Sequence, residues 1–142
     1  MSLYLRLFWE FFKTGLFAIG GGGLISGVAT AVKGLKEAVQ TIGVEPAGAP
    51  RYSKSRAAGC PVALDKVDTI ADGTRTDHAN PDNFEMIQAR VDRLCTVEDS
   101  FIQQAMILLM TKAKLTVEPS GALPVAAALA GIVLKNLEVK QA

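Results

Sequence analysis

The chain has 142 residues, of which 49% are hydrophobic and 20% charged, and its formal net charge is +1. This length is enough for one domain with a buried core, and the composition argues against intrinsic disorder. Because the net charge is near zero and the Lys and Arg residues are scattered rather than clustered, nucleic acid is not expected as a partner.

The N-terminal segment is predicted to be an aromatic, apolar helix. Six of the nine aromatic residues lie in the first 17 positions, and the apolar residues between positions 3 and 17 follow helical spacing but occupy more than one face. Such a helix needs cover on all sides or a lipid interface. Residues 14–32 carry no charge over 19 positions, but six of these are glycine, and each glycine costs a helix about 1 kcal/mol relative to alanine. Membrane association therefore stays open as an alternative that the sequence does not favour.

The same segment resembles part of a known family. Residues 1–22, above all the letters LFWEFFKTGLFAIGGG of residues 7–22, resemble the start of chromate-transporter family proteins, in which a membrane-associated aromatic helix leads into a glycine triplet. The resemblance ends at the glycines. Together with the fall in aromatic content, it indicates that two sequences of different origin meet near Gly20. We therefore expect a foreign aromatic helix over residues 1–19 and a second unit over residues 20–142.

Four consecutive glycines, Gly20 to Gly23, are the strongest single feature of the chain. They follow a short apolar run that predicts a strand over residues 16–19, and they precede apolar residues at helical spacing that predict a helix over residues 25–39. A strand, a glycine loop and a helix present free backbone N–H groups and a positive helix end to an anion. The following Val28 and Ala29 exclude a Walker A loop, and the glycine spacing does not fit the dinucleotide fingerprint. The sequence predicts a phosphate-binding loop, with a flexible linker as the alternative.

The rest of the chain continues to alternate strands and helices. Further strands are predicted over residues 41–45 and 94–97, and further helices over residues 52–58, 84–91, 100–115 and 122–137. This alternation is typical of an α/β layer arrangement with a mostly parallel sheet.

The cysteines and the histidine give no sign of a metal site. Cys60 and Cys95 lack CxxC spacing and a nearby histidine, which favours two buried, reduced thiols over one cystine. His78, the only histidine, stands in a polar stretch and is interpreted as a solvated loop residue rather than a zinc ligand.

Four sequence words occur in order: GGGGLISG at residues 20–27, GVEPAGA at 43–49, DTIADG at 68–73 and VEPSGA at 117–122. This series resembles the threonine dehydratase and serine racemase family of pyridoxal-phosphate enzymes, from Gly20 to about residue 137. The resemblance implies a partial three-layer αβα fold, the incomplete large domain of a fold type II pyridoxal-phosphate enzyme, over residues 20–142. It also implies pyridoxal 5'-phosphate as cofactor and a cytoplasmic location.

The resemblance assigns a role to each residue of the glycine loop. The cofactor phosphate would be bound by Gly20, Gly21, Gly22, Gly23 and the amide of Leu24. The wall of the active site would include residues 68–73.

The resemblance also implies a divalent cation near the second sequence word. Glu45 and the carbonyl of Ala49 would help to hold it, and the third ligand, Ser or Asp in relatives, falls near Arg51. A guanidinium beside a cation is electrostatically unfavourable, and hard cations need several oxygen ligands. The other interpretation of Glu45 is a carboxylate at the end of a strand.

The family's chemistry, such as deamination of L-threonine to 2-oxobutanoate, needs a lysine that bonds to the cofactor. In the family this lysine stands in a Ser-Phe-Lys context before the glycines, and a Ser-Gly-Gly-Asn word contacts the pyridine nitrogen. Neither word occurs in this chain, and none of its nine lysines has that context. We therefore expect no catalytic residue here, and a truncated or chimeric remnant that is inactive unless a complementary chain or homo-oligomer completes it. The alternatives are a non-catalytic protein that binds a phosphorylated ligand and a membrane-associated protein anchored by its N-terminal helix.

Overall fold

The computed structural model describes residues 14–132, with side chains from Ala18 onward. Three strands and five α-helices form this part of the chain. In chain order they are β1 (Thr14–Ala18), α1 (Gly23–Leu35), β2 (Gln40–Pro46), α2 (Arg51–Ala58), α3 (Pro81–Arg90), β3 (Arg93–Val97), α4 (Asp99–Leu108) and α5 (Pro119–Leu129). A short 3-10 helix (Asp72–Thr74) precedes α3, and a π-helical turn (Leu109–Ala113) follows α4.

The strands form one parallel sheet in the order β1-β2-β3. The central strand β2 is buried from residue 41 to residue 46, because helices cover both faces of the sheet. On one face Val44 packs in a cluster with residues of α4 and α5. On the other face Ile19 packs in a cluster with residues of α1, α2 and α3. The predicted layered α/β fold with a parallel sheet is confirmed for the described residues.

Gly43 explains why the sheet and α1 can approach so closely. It lies on β2, on the face of the sheet that packs against the cluster of Ile19 and Ile25. A methyl group on Gly43 would lie 2.6 Å from Ile19 Cδ1 and 2.8 Å from Ile25 Cδ1. Those distances are well below van der Waals contact, so a side chain at this position would force the layers apart.

The predicted elements are present, but most of their boundaries differ by a few residues, and the largest differences are in α1, α4 and α5. Helix α1 ends at Leu35, four residues before the predicted end, because the chain must turn before β2 begins at Gln40. Helix α4 ends at Leu108 and continues as the π-helical turn, which Lys114 closes with a positive φ of 58°. Helix α5 begins at Pro119, which occupies the first turn after the N-cap Glu118. It ends at Leu129, well before the predicted end at residue 137, and Gly131 follows with a φ of 71°.

The predicted aromatic helix is wrong for residues 14–17, where the strand predicted over residues 16–19 is present instead. Their backbone belongs to β1 and pairs in register with β2, from Thr14 opposite Gln40 to Phe17 opposite Gly43. The pairing satisfies backbone groups that a helix would satisfy internally. The remainder of that predicted helix, residues 3–13, lies outside the described residues. Within residues 14–132 the longest apolar helix still falls short of what a membrane span requires.

Both cysteines are free thiols, as predicted, but Cys60 is exposed rather than buried. It follows Gly59, which ends α2 with a φ of 74° and carries the chain to the surface. Cys95 is half-buried in β3, and burial raises the pKa of its thiol to about 11. His78 is an exposed loop residue, as predicted, and its Nδ1 lies 2.7 Å from the Asp77 carboxylate.

Candidate functional site

The four glycines form the turn between the end of β1 and the start of α1. Gly22 is the N-cap of α1 and has a φ of 93°, a conformation that residues with side chains rarely adopt. A methyl group on Gly22 would also lie 2.9 Å from Asn83 Cβ and would meet the Tyr52 hydroxyl. Only glycine satisfies both the backbone angle and the space at this position.

The carbonyl groups of the loop are held by residues of two neighbouring helices. Arg51 donates a hydrogen bond from Nη2 to the carbonyl of Gly20. The Tyr52 hydroxyl donates to the carbonyl of Gly21 at 3.0 Å, and Asn83 Nδ2 donates to the same oxygen at 2.7 Å. The carbonyls of Gly20 and Gly21 are therefore fixed by α2 and α3.

The Gly22 carbonyl is held from inside α1. It accepts from the Ser26 amide at 3.0 Å and from Ser26 Oγ at 2.7 Å. With the bonds to Gly20 and Gly21, this fixes three successive peptide groups of the loop.

The orientation of these carbonyls determines where the loop amides point. The peptide bonds are trans, so the N–H of each peptide group points opposite to its C=O. The amides of Gly21, Gly22 and Gly23 therefore point away from the side chains that hold the carbonyls. Gly21 and Gly23 leave open space, since a methyl group on either would meet no atom within 4 Å. The amides thus face an open side of the loop.

Within the described residues, the amides of residues 21–25 make no hydrogen bond to the protein, because the first such bond of α1 is donated by Ser26. Free amides of this kind at a helix start, with the positive end of the helix dipole behind them, attract an anion. The first turn of α1 contains no acidic residue to compete for them. The Leu24 side chain is 70% exposed, so it does not cover the loop. The predicted arrangement of strand, glycine loop and helix is present, and it fits a phosphate group.

Two other sequence words lie beside the loop. A methyl group on Gly20 would lie 3.3 Å from the Gly73 carbonyl oxygen. A methyl group on Gly73 would lie 3.0 Å from both Glu118 Oε1 and Ser120 Oγ. Ser120 Oγ is buried and has no hydrogen-bond partner among the residues that the structure describes. Residues 68–73 and 117–122 therefore meet next to the glycines.

Asp99, in the first turn of α4, anchors the loop of residues 68–73. Its Oδ1 accepts from Thr69 Oγ1 at 2.6 Å, and its Oδ2 accepts from the Ile70 amide at 2.9 Å. An acidic residue at the start of a helix can be recognised in the sequence, but no sequence pattern indicates that Asp99 binds Thr69, 30 positions earlier.

Glu45 is a fully buried carboxylate at the end of β2. Its Oε1 accepts from the Tyr52 amide at 2.9 Å, and its Oε2 accepts from the Ser53 amide and Ser53 Oγ, both at 2.8 Å. Burial raises the pKa of the Glu45 carboxyl, although these hydrogen bonds and the nearby Arg51 act in the opposite direction. The carboxylate therefore occupies the start of α2, where free amides favour a negative charge.

The residues implied for a divalent cation do not fit one. Arg51 Nη1 lies 3.8 Å from Glu45 Oε1, so a guanidinium occupies the position beside the carboxylate. Ala49 is buried in the turn between β2 and α2. Residues 14–132 contain no group of three or more His, Cys, Asp or Glu side chains placed to bind a metal ion. A hard cation would have to displace the Arg51 charge and compete for oxygens that already accept hydrogen bonds.

The sequence does not predict that Arg51, Tyr52 and Asn83 hold the glycine loop. Each binds a backbone carbonyl 31 or more positions earlier in the chain. A carbonyl acceptor carries no residue identity, so no sequence pattern indicates these bonds.

Known proteins share the fold of this chain. Residues 13–140 match the family model described as pyridoxal-phosphate dependent enzyme. The chain is 42% identical over 114 residues to phenylserine dehydratase of Ralstonia pickettii, an alignment that covers 80% of this chain and 35% of the relative. The crystal structure of a T.th. threonine deaminase superposes with a TM-score of 0.81 at 41% identity, covering 83% of this chain and 42% of that structure. Maize serine racemase superposes with a TM-score of 0.79 at 39% identity, and the superposition covers 82% of this chain and 36% of that structure.

The chain spans about a third to two fifths of the length of these relatives. This partial coverage agrees with the predicted incomplete large domain of a fold type II pyridoxal-phosphate enzyme. The predicted resemblance to the threonine dehydratase and serine racemase group is confirmed, and the chain belongs to the pyridoxal-phosphate-dependent enzyme family.

Proposed function

We propose that this chain supplies the cofactor-phosphate site of a pyridoxal-phosphate-dependent ammonia-lyase of the threonine or serine dehydratase type. The phosphate would accept hydrogen bonds from the amides of the glycine loop, that is from Gly20, Gly21, Gly22, Gly23 and Leu24. The observation that carries the proposal is the fixed direction of the Gly21, Gly22 and Gly23 amides, because bonds from Arg51, Tyr52, Asn83 and Ser26 hold the carbonyls of Gly20, Gly21 and Gly22.

The loop residues would bind and orient the phosphate without moving. Because the carbonyls are already held, binding does not require the loop to be ordered first, which reduces its entropic cost. The α1 dipole adds a favourable interaction with the dianion, and the absent side chains at Gly21 and Gly23 let the oxygens approach the backbone. When bound, pyridoxal phosphate supplies the electron-withdrawing ring that lets an amino acid lose ammonia.

Catalysis is proposed to need residues from outside this chain. None of the nine lysines stands in the Ser-Phe-Lys context of the family. Some are also engaged elsewhere: Lys33 Nζ lies 2.8 Å from the Asp92 carboxylate, and Lys66 Nζ lies 3.2 Å from that of Asp68. Conversion of L-threonine to 2-oxobutanoate by this chain alone is therefore not expected. A complementary chain or a homo-oligomer would have to complete the site.

An exposed apolar surface supports the proposal of a partner chain. Ile107, Met110 and Leu115 are each more than half exposed, at the end of α4 and around the π-helical turn. A cavity of about 380 Å³ lies between this turn and the start of α5, lined in part by Met106 and Val117. Contiguous apolar surface of this kind is unusual on a monomer and is typical of an interaction site.

A cytoplasmic location and a role in amino-acid metabolism, such as isoleucine biosynthesis, are proposed on the family resemblance alone. Cell fractionation tests the location. Recovery of the chain in the membrane fraction would instead favour the alternative in which the aromatic N-terminal segment anchors the protein to a lipid surface.

The proposed phosphate site is tested by titrating the full chain with pyridoxal 5'-phosphate and, separately, with pyridoxal, which lacks the phosphate. The wild type should bind the phosphorylated compound much more tightly. Gly22→Ala should abolish this difference, because it strains the N-cap and clashes with Asn83. Gly27→Ala is the matched control, since a methyl group there meets no atom within 4 Å. Equal binding of both compounds by the wild type would contradict the proposal.

A further inference from the structure

A fully buried guanidinium joins three segments of the candidate site. Arg51, the first residue of α2, has no exposed surface. Its Nη2 donates to the carbonyl of Ile19 at 3.0 Å and to that of Gly20, and its Nη1 donates to the carbonyl of Thr74 at 3.0 Å. One side chain thus connects the end of β1, the glycine loop and the 3-10 helix.

The surroundings of Arg51 consist of the kind of groups that bind a cation. Three carbonyl oxygens contact the guanidinium, and the buried Glu45 carboxylate lies 3.8 Å away. Carbonyl and carboxylate oxygens are also the ligands of hard divalent cations in proteins. Here the positive charge is attached covalently to the chain, and it cannot dissociate.

We propose that the guanidinium of Arg51 takes the place of a divalent cation at this position, and that the glycine loop is therefore ordered without any bound metal. The fixed charge neutralises the buried Glu45 carboxylate, which would otherwise be costly to bury. The same positive charge repels a metal cation at short range and so keeps one from binding beside Glu45. The Nη1 and Nη2 groups of Arg51 hold three carbonyl oxygens, and the planar guanidinium fixes the directions of these bonds, which suits it to replace an ion with several ligands.

The test is thermal unfolding of the full chain in EDTA and in excess MgCl₂, CaCl₂ or MnCl₂. A ligand that binds only the folded state raises the unfolding temperature as its concentration increases. The wild type should unfold at the same temperature in all four solutions. This measurement does not depend on the phosphate site, so a failure to bind pyridoxal phosphate would leave its result interpretable.

Arg51→Asp removes the guanidinium and adds a carboxylate, an oxygen ligand, at the same position of the chain. In EDTA this variant should unfold at a clearly lower temperature than the wild type, and added Mg²⁺, Ca²⁺ or Mn²⁺ should raise that temperature. Arg75→Asp is the control, because it makes the same charge change at an exposed position. Its unfolding temperature should stay close to that of the wild type and should not respond to the metals.

Two results would overturn the proposal. One is a saturable rise in the wild-type unfolding temperature with Mg²⁺, Ca²⁺ or Mn²⁺ that EDTA reverses. The other is an Arg51→Asp variant that unfolds at the wild-type temperature without metal. If that variant does not fold, Mn²⁺ binding to the wild type decides the question: stoichiometric binding that Glu45→Gln abolishes would refute the proposal, and no binding would support it.

Discussion

Removing a single amide from the glycine loop tests whether the loop binds phosphate through its backbone. Leu24 is the second residue of α1, its N–H has no partner within the described residues, and its side chain is 70% exposed. Proline lacks the N–H but is tolerated in the first turn of a helix. Leu24→Pro should therefore remove one donor to the phosphate and no internal hydrogen bond of the protein.

The size of the effect follows from the charge of the acceptor. A hydrogen bond to a charged group contributes about 1.5–3 kcal/mol, and about 1.4 kcal/mol corresponds to a tenfold change in affinity, so Leu24→Pro should weaken binding of pyridoxal phosphate by roughly 10- to 150-fold. Leu24→Ala keeps the N–H and removes the same exposed side chain, so it should bind like the wild type. Fluorescence titration measures both variants, and circular dichroism checks that both retain their helices.

Equal affinity of folded Leu24→Pro and folded Leu24→Ala for pyridoxal phosphate would refute binding through the loop amides. The binding energy would then come from groups other than the loop amides. Loss of affinity in both variants would also contradict it, because that result would assign the effect to the leucine side chain.

Two further predictions concern groups away from the loop. Burial raises the pKa of Asp92, but the hydrogen bonds from Lys33 and Thr41 together lower it by more. The pKa therefore lies below its ordinary value of 3.8. The carboxylate therefore stabilises the fold above that pH, and Asp92→Asn should lower the unfolding temperature at pH 7, with a gap to the wild type that closes as the pH falls below 3.8; a gap that widens in acid would contradict this. Since only thiolates react readily and burial raises the pKa of Cys95 to about 11, iodoacetamide at about pH 8 should modify the exposed Cys60 first and Cys95 only after denaturation. Equal rates of modification at the two thiols in the native chain would contradict the described burial.

The local features of the site could be predicted because their causes are local. Glycine at positions 20–23 between an apolar run and a helical pattern specifies a turn with free amides, and the alternation of elements specifies a parallel layered sheet. The contacts that orient the loop could not be predicted, since Tyr52 and Asn83 bind a carbonyl of Gly21 that any residue would present. They arise from the packing of α2 and α3 beside α1.

The N-terminal segment shows where a pattern of hydrophobicity misleads. Helical spacing of apolar residues continues to residue 17, but residues 14–17 belong to β1, as the apolar run over residues 16–19 predicts, because their backbone pairs with β2. The match to the family begins at residue 13, seven residues before Gly20. The foreign origin of residues 1–19 and the resemblance of residues 1–22 to chromate-transporter proteins stay predictions.

The most direct test of the phosphate site is a ¹H–¹⁵N spectrum of the full chain labelled only at glycine, recorded during titration with pyridoxal 5'-phosphate. The amide resonances of Gly21, Gly22 and Gly23 should shift together and saturate, while those of Gly27 and Gly34 in the body of α1 stay in place. Unchanged resonances from the loop glycines at saturating cofactor would contradict the account.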